Sequence, residues 1–149
     1  MANNYVMGPD GVSDAIVVSG VDATMSSGDP VQIGYLNGVA LQDIDSDGEV
    51  VVDQAPKVYK HSVRNVTAYS TGDESTYGAI AVGDKIYYDD TDVNGALGLK
   101  LSTSPNNSGT AGSGEGAAAN KLFGIAKSAD ATATAKTATI DVLTINPAV

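Results

Sequence analysis

The run Thr137-Ala138-Thr139-Ile140-Asp141-Val142-Leu143-Thr144-Ile145 alternates apolar and polar residues through its first six positions. Successive side chains of an extended chain point to opposite faces. Ala138, Ile140 and Val142 therefore read as a core face, and Thr137, Thr139 and Asp141 as a solvent face. After Val142 the phase slips and Leu143 and Ile145 take the opposite face, so either a bulge intervenes or both faces are covered there. The same chemistry recurs along the chain, with Val, Ile, Thr and Tyr in short runs punctuated by Gly, Asn and Asp. It predicts strands at residues 15–19, 31–36, 39–42, 49–53, 57–63, 85–89, 97–102, 122–127 and 137–145. No segment carries a helical stripe of useful length, and the alanine-rich residues 116–121 are too short to stand as a helix unaided. The fold class is all-β.

Two regions differ from this pattern. Residues 1–14, with Gly8-Pro9 and Asp10-Gly11, read as an extended arm carrying one apolar cluster, Tyr5-Val6-Met7. Residues 102–120 have the Ser/Asn/Gly composition of a flexible loop inserted in the β domain, which is taken as residues 15–149. An internal echo is also present. Gly28-Asp29-Pro30-Val31 is answered by Gly83-Asp84-Lys85-Ile86, Gly38-Val39-Ala40 by Gly124-Ile125-Ala126, and residues 49–53 by 138–142. Two echoing units predict a sandwich or small barrel, because a solenoid needs three or more repeats.

Composition narrows the function. The chain of 149 residues has no cysteine, which removes disulfides, thiolate nucleophiles and cysteine-held metals. Eight basic residues against 18 acidic ones give a net charge of −10, the wrong sign for nucleic acid. No apolar run approaches the ~20 residues that span a bilayer. The start, Met1-Ala2-Asn3-Asn4-Tyr5, lacks the basic and apolar regions of a secretion signal, so assembly in a cytosol is expected.

Few residues offer chemistry. Asp43-Ile44-Asp45-Ser46-Asp47-Gly48 opens like a calcium loop, but Gln54 stands where the closing glutamate belongs and strands flank it. An acidic hairpin turn is the preferred reading, since Asp-Gly is a strong hairpin signal. Gly112-Ser113-Gly114-Glu115-Gly116-Ala117 imitates a dinucleotide fingerprint without the strand and helix that make one work, and reads as linker. His61, the sole histidine, reads as an ordinary surface or partly buried strand residue. Asp73-Glu74 and Asp89-Asp90 read as turn residues. Tyr87-Tyr88 alternates faces and forms no flat platform for a sugar. No enzyme, metal or cofactor is expected.

The order of landmarks is more telling than any one of them. It runs from Asn4-Tyr5 in the arm through Ser27-Gly28-Asp29-Pro30-Val31 and Gly38-Val39-Ala40 to an acidic turn with Glu49-Val50-Val51-Val52. A Tyr-bearing strand follows, then Ala79-Ile80-Ala81-Val82-Gly83-Asp84-Lys85-Ile86-Tyr87-Tyr88-Asp89, Phe123-Gly124-Ile125-Ala126-Lys127 and the run from Thr137 to Leu143. This order resembles the capsid decoration, or capsid cement, proteins of tailed phages. The insertion at 102–120 and extra residues around 60–76 depart from shorter members. The resemblance implies a compact β-sandwich or tulip-like small barrel with no catalysis and no cofactor. It implies a homotrimer on the outer surface of the virion, clamping neighbouring subunits of the major capsid protein. The arm residues Asn3, Asn4, Tyr5, Val6 and Met7 are then expected to contact the capsid or a neighbouring subunit. The alternative is a β module of a phage tail or cell-surface layer, stapled by calcium at Asp43, Asp45 and Asp47.

Overall fold

A computed structural model describes residues 15–54, 56–70, 73–89, 100–105, 120–131 and 137–146, with the backbone alone for 66–70 and 73–77. The described residues are all β. Eleven strands run β1 (Ala15–Ser19), β2 (Pro30–Ile33), β3 (Leu36–Ala40), β4 (Glu49–Asp53), β5 (Val58–Arg64), β6 (Val66–Ser70), β7 (Asp73–Tyr77), β8 (Lys85–Tyr88), β9 (Leu101–Ser102), β10 (Lys121–Ala126) and β11 (Thr137–Thr144). The first four form an antiparallel sheet in the order β1-β4-β3-β2. The ring β10-β11-β5-β9-β8 closes into a barrel, and β6 and β7 make a separate hairpin.

Period two decides what each strand buries. In β11, Ala138, Ile140, Val142 and Thr144 point inward without interruption, so no bulge intervenes after Val142 and Leu143 takes the opposite face as expected. Leu143 is half-buried on the outer face, which is the covered-face alternative, and Thr144 continues the inner row. The expected strand 31–36 is broken at Gly34-Tyr35 into β2 and β3, because a left-handed Gly34 (φ 63°) turns the chain there. Of the alanine-rich residues 116–121, which are too short for a helix, 116–119 lie outside the described residues and Lys121 opens β10.

The internal echo is a duplicated unit. Gly28 donates its N–H to Ala40 O (2.8 Å) and Ala40 donates to Asp29 O (2.9 Å); Gly83, Ala126 and Asp84 repeat this at 2.9 and 2.9 Å. The Asp29 carboxylate accepts the Ser26 N–H at 2.7 Å, and the Asp84 carboxylate accepts that of Ala81 at 2.8 Å. Both turns need a glycine at positive φ, 92° for Gly28 and 98° for Gly83. Gly38 and Gly124 permit a second shared feature, close strand approach: a Cβ would lie 2.6 Å from Asp53 O in one and 2.5 Å from Leu143 O in the other. Ala40 faces Val52 as Ala126 faces Val142. The third echo therefore matches residues 49–53 to 139–143, one position later than the sequence comparison placed it. Inward-facing Val50 and Val52 then answer Ile140 and Val142, as burial requires. Pairing of β1 with β4 and of β5 with β11 extends the match: β1, β2, β3 and β4 correspond to β5, β8, β10 and β11.

The units differ in how they close. In the second, β9 lies between β5 and β8, parallel to the former and antiparallel to the latter. A bulge in β10 between Leu122 and Gly124 accommodates Phe123, which is fully buried among Val63, Ile86, Leu101 and Ile140. The first unit has its own smaller core of Met25, Val31, Ala40, Val50 and Val52.

Asn37 joins the two units. Its amide donates to Leu122 O (2.8 Å) and Ile145 O (2.7 Å), its backbone N–H to Asn146 Oδ1 (2.7 Å), and its Oδ1 accepts from Gln32 Nε2 (2.6 Å). A buried amide with this many partners fixes one sheet against the other, since any slip would orphan several polar groups.

Candidate functional site

The carboxylates of the acidic turn are bonded within the fold. In the acidic turn, Asp45 Oδ1 accepts the N–H groups of Asp47 (3.0 Å) and Glu49 (2.8 Å), and Asp43 Oδ1 accepts that of Ser27 (2.9 Å). Gly48 donates to Asp45 O at 3.1 Å with φ 75°, so the stretch is the tight turn between β3 and β4. Asp43, Asp45 and Asp47 do not converge, and among the described residues no three His, Asp or Glu side chains group as metal ligands.

Two sequence expectations need correction. Asp89 is no turn residue: it is fully buried and accepts from Arg64 Nη2 at 2.9 Å, with both side chains out of solvent. Asp73 and Glu74 lie within β7, where Asp73 faces Ser70 across the hairpin, instead of in a turn. Asp90, the Gly112–Ala117 tract and the arm residues Asn3, Asn4, Tyr5, Val6 and Met7 fall outside the described residues.

His61 is more buried than expected, at 5 % exposure. It stands edge-on to Phe123 (centroids 5.9 Å apart), and its Nε2 has no hydrogen-bond partner among the described residues. Desolvation pulls its pKa from 6.5 down to about 4, so it is neutral at pH 7. Nearby, the Tyr59 hydroxyl donates to Asp53 at 2.5 Å and Lys57 Nζ donates to the same carboxylate at 2.8 Å. Burial, then the Asp53 bond, raises the Tyr59 pKa well above its usual value and keeps the phenol protonated.

An open cavity of about 420 Å³ lies beside the barrel, with Asn65, Asp84, Lys85, Tyr87 and Ser104 on its wall. Two of its polar side chains bond the fold: Asp84 caps the Ala81 turn and the Asn65 amide nitrogen donates to Gly78 O at 2.9 Å. The described surface carries exposed apolar side chains. Ile33 (40 % exposed) and Tyr35 (69 %) project from the β2–β3 turn. Lys121 lies over the Tyr35 ring at 5.7 Å and donates to Gly34 O at 3.1 Å, which holds that knuckle against the barrel. Val58 and Val82 are further exposed apolar side chains. None of these was singled out from sequence, because an apolar residue in a β pattern reads as core until the turn positions are known. Compared with family models, curated proteins and solved structures, the chain gives no match.

Proposed function

We propose that this chain is a structural protein of a tailed-phage virion that binds the outer capsid surface and stabilises contacts between major capsid subunits. The observation that carries this reading is the order of the landmark segments. Those within the described residues are the turns and strands of the duplicated unit: residues 27–31 enter β2, 38–40 lie in β3, 49–52 in β4, 79–89 lead into β8, 122–127 span β10 and 137–143 span β11. The acidic balance keeps a protein used at high local copy number from associating nonspecifically. The propped knuckle of Ile33 and Tyr35 supplies the kind of exposed apolar anchor that interfaces use. In this reading the protein acts as a homotrimer, and Asn3, Asn4, Tyr5, Val6 and Met7 carry the arm contact to capsid or to a neighbouring copy.

The test mixes purified protein with expanded, undecorated heads of the parent phage and images them by cryo-electron microscopy. Ordered density outside the shell at local threefold positions is the expected result. Bare heads at saturating protein would overturn the proposal.

A further inference from the structure

The outer faces of the two units can be compared position by position. In the first unit Val17, Val51 and Leu41 stand side by side across β1, β4 and the residue just past β3, and the Leu41 N–H donates to Val51 O at 2.8 Å. They point away from the first core, because Ile16, Val18, Val50, Val52 and Ala40 point into it. The same places in the second unit hold Lys60, Asp141 and Lys127, and the Lys127 N–H repeats the backbone bond to Asp141 O at 2.7 Å. There Lys60 pairs with Asp141 and the row is solvated, with 69 % of the Lys60 side chain exposed. In the first unit Val17 and Val51 are half-buried and Leu41 is 46 % exposed. The second unit shows that this sheet accepts charged residues at all three places, which points the apolar row to a contact outside its own unit.

Charge narrows what can meet that row. The first 54 residues contain nine Asp and Glu and no Lys, Arg or His. Glu49 stands one row from Val51 on the same face, and Asp43, Asp45 and Asp47 are exposed just past Leu41. All eight Lys and Arg lie from residue 57 onward. On the outside of the barrel, Val58, Leu143, Ile125 and Lys85 form one row across β5, β11, β10 and β8. Val58 is 51 % exposed, and Lys60 and Lys127 lie in the next row. An apolar row rimmed by carboxylates on one unit thus has its complement, an apolar row rimmed by lysines, on the other.

We propose that Val17, Val51 and Leu41 of one copy pack on Val58, Leu143 and Ile125 of a second copy, with the first unit's carboxylates facing the neighbour's lysines. The inference rests on the homotrimer in the reading above and names the two surfaces that build it. Packing the row on its own equivalent in another copy would set two units without a cation against each other, which like-charge repulsion opposes. The contact is therefore head-to-tail, and such contacts close into a ring when the rotation permits.

The test is sedimentation equilibrium of the full chain at low salt, up to about 1 mM, the effective concentration that short tethers reach. Wild-type protein is expected to self-associate, and more weakly as salt screens the rims. Leu41→Lys places there the residue that the second unit carries, and Val58→Glu sets a carboxylate where the acidic unit docks. Each should weaken association about tenfold or more at wild-type melting temperature. A mixture of the two variants keeps one intact interface per pair, so it should form dimers that grow no further. Monomeric wild type would overturn the self-contact, and if its Leu41→Lys variant then failed to decorate heads, the row would belong to the capsid protein instead. Loss of association in Leu41→Lys but not in Val58→Glu would overturn the head-to-tail arrangement. Wild-type protein that decorates heads yet neither self-associates nor responds to Leu41→Lys would sink this contact and leave the capsid reading standing. Protein that associates as expected but ignores heads would do the reverse.

Discussion

At the scale of single residues, the barrel interior holds polar groups whose burial has measurable consequences. His61 binds a proton near pH 6.5 in the unfolded chain and only near pH 4 in the folded one. Between those values the unfolded chain holds the extra proton, so stability is lost as pH falls, by up to about 3 kcal/mol. The corresponding residue of the first unit is Val18, which tolerates the same place in the sheet. His61→Val should therefore flatten the stability-versus-pH curve between pH 6.5 and 4 relative to wild type, in urea titrations at each pH. An unchanged difference across that window would show that His61 does not titrate there. Asp89 poses the opposite problem, a charge that is buried but paired. Asp89→Ala takes a buried carboxylate from the Arg64 guanidinium and should cost about 3–5 kcal/mol in urea unfolding, whereas the double change Arg64→Met with Asp89→Leu should recover most of it. The exposed pair of Lys60 and Asp141 at 3.1 Å is a different case, since a solvated ion pair adds little.

At the scale of elements, the duplicated four-strand unit explains why corresponding positions diverge. Gly38 and Gly124 retain the same close approach, whereas the residue just before each differs: Asn37 in β3 and the bulged Phe123 in β10. Phe123 fills its own barrel, while Asn37 reaches across and bonds the backbone of the other unit. Asn37→Leu should strip the Leu122 and Ile145 carbonyls of a donor and cost about 2–3 kcal/mol. Hydrogen exchange should then show strands β1 to β4 losing protection ahead of the barrel strands. Equal loss in both would mean that Asn37 is not where the units are coupled. The β6–β7 hairpin has one local signal in the sequence, the pair Thr71-Gly72. The Ser, Thr, Asp and Glu content of these strands carries little of the apolar alternation that marks a strand in sequence.

At the scale of the whole molecule, the arm and the acidic turn separate the two functional readings. Deleting residues 2–7 removes one apolar anchor of about 1.5–3 kcal/mol and should weaken binding to expanded heads about tenfold or more in sedimentation assays. Unchanged occupancy by the truncated protein would remove the arm from the interface. Chelation should leave the melting temperature where it is, because the Asp43 and Asp45 carboxylates already accept backbone N–H groups. A rise of several degrees on adding calcium would instead favour the tail or surface-layer module.

The amino-acid sequence by itself determined what is local. Period two in residues 137–142 placed the right side chains inside, and the two Gly-Asp turns, the acidic hairpin and the repeated units could all be read from it. These depend on neighbours within a few positions, where backbone sterics and side-chain alternation act directly. The tertiary structure alone decided how the units close and meet. That a two-residue strand at Leu101–Ser102 completes one barrel depends on its parallel pairing with β5, some 38 positions earlier in the chain. The burial of Asp89 against Arg64, of His61 against Phe123 and of Asn37 between the sheets follows from that closure. Long-range pairing is set by which surfaces remain to be covered once local structure has formed, and no short window of sequence contains that information.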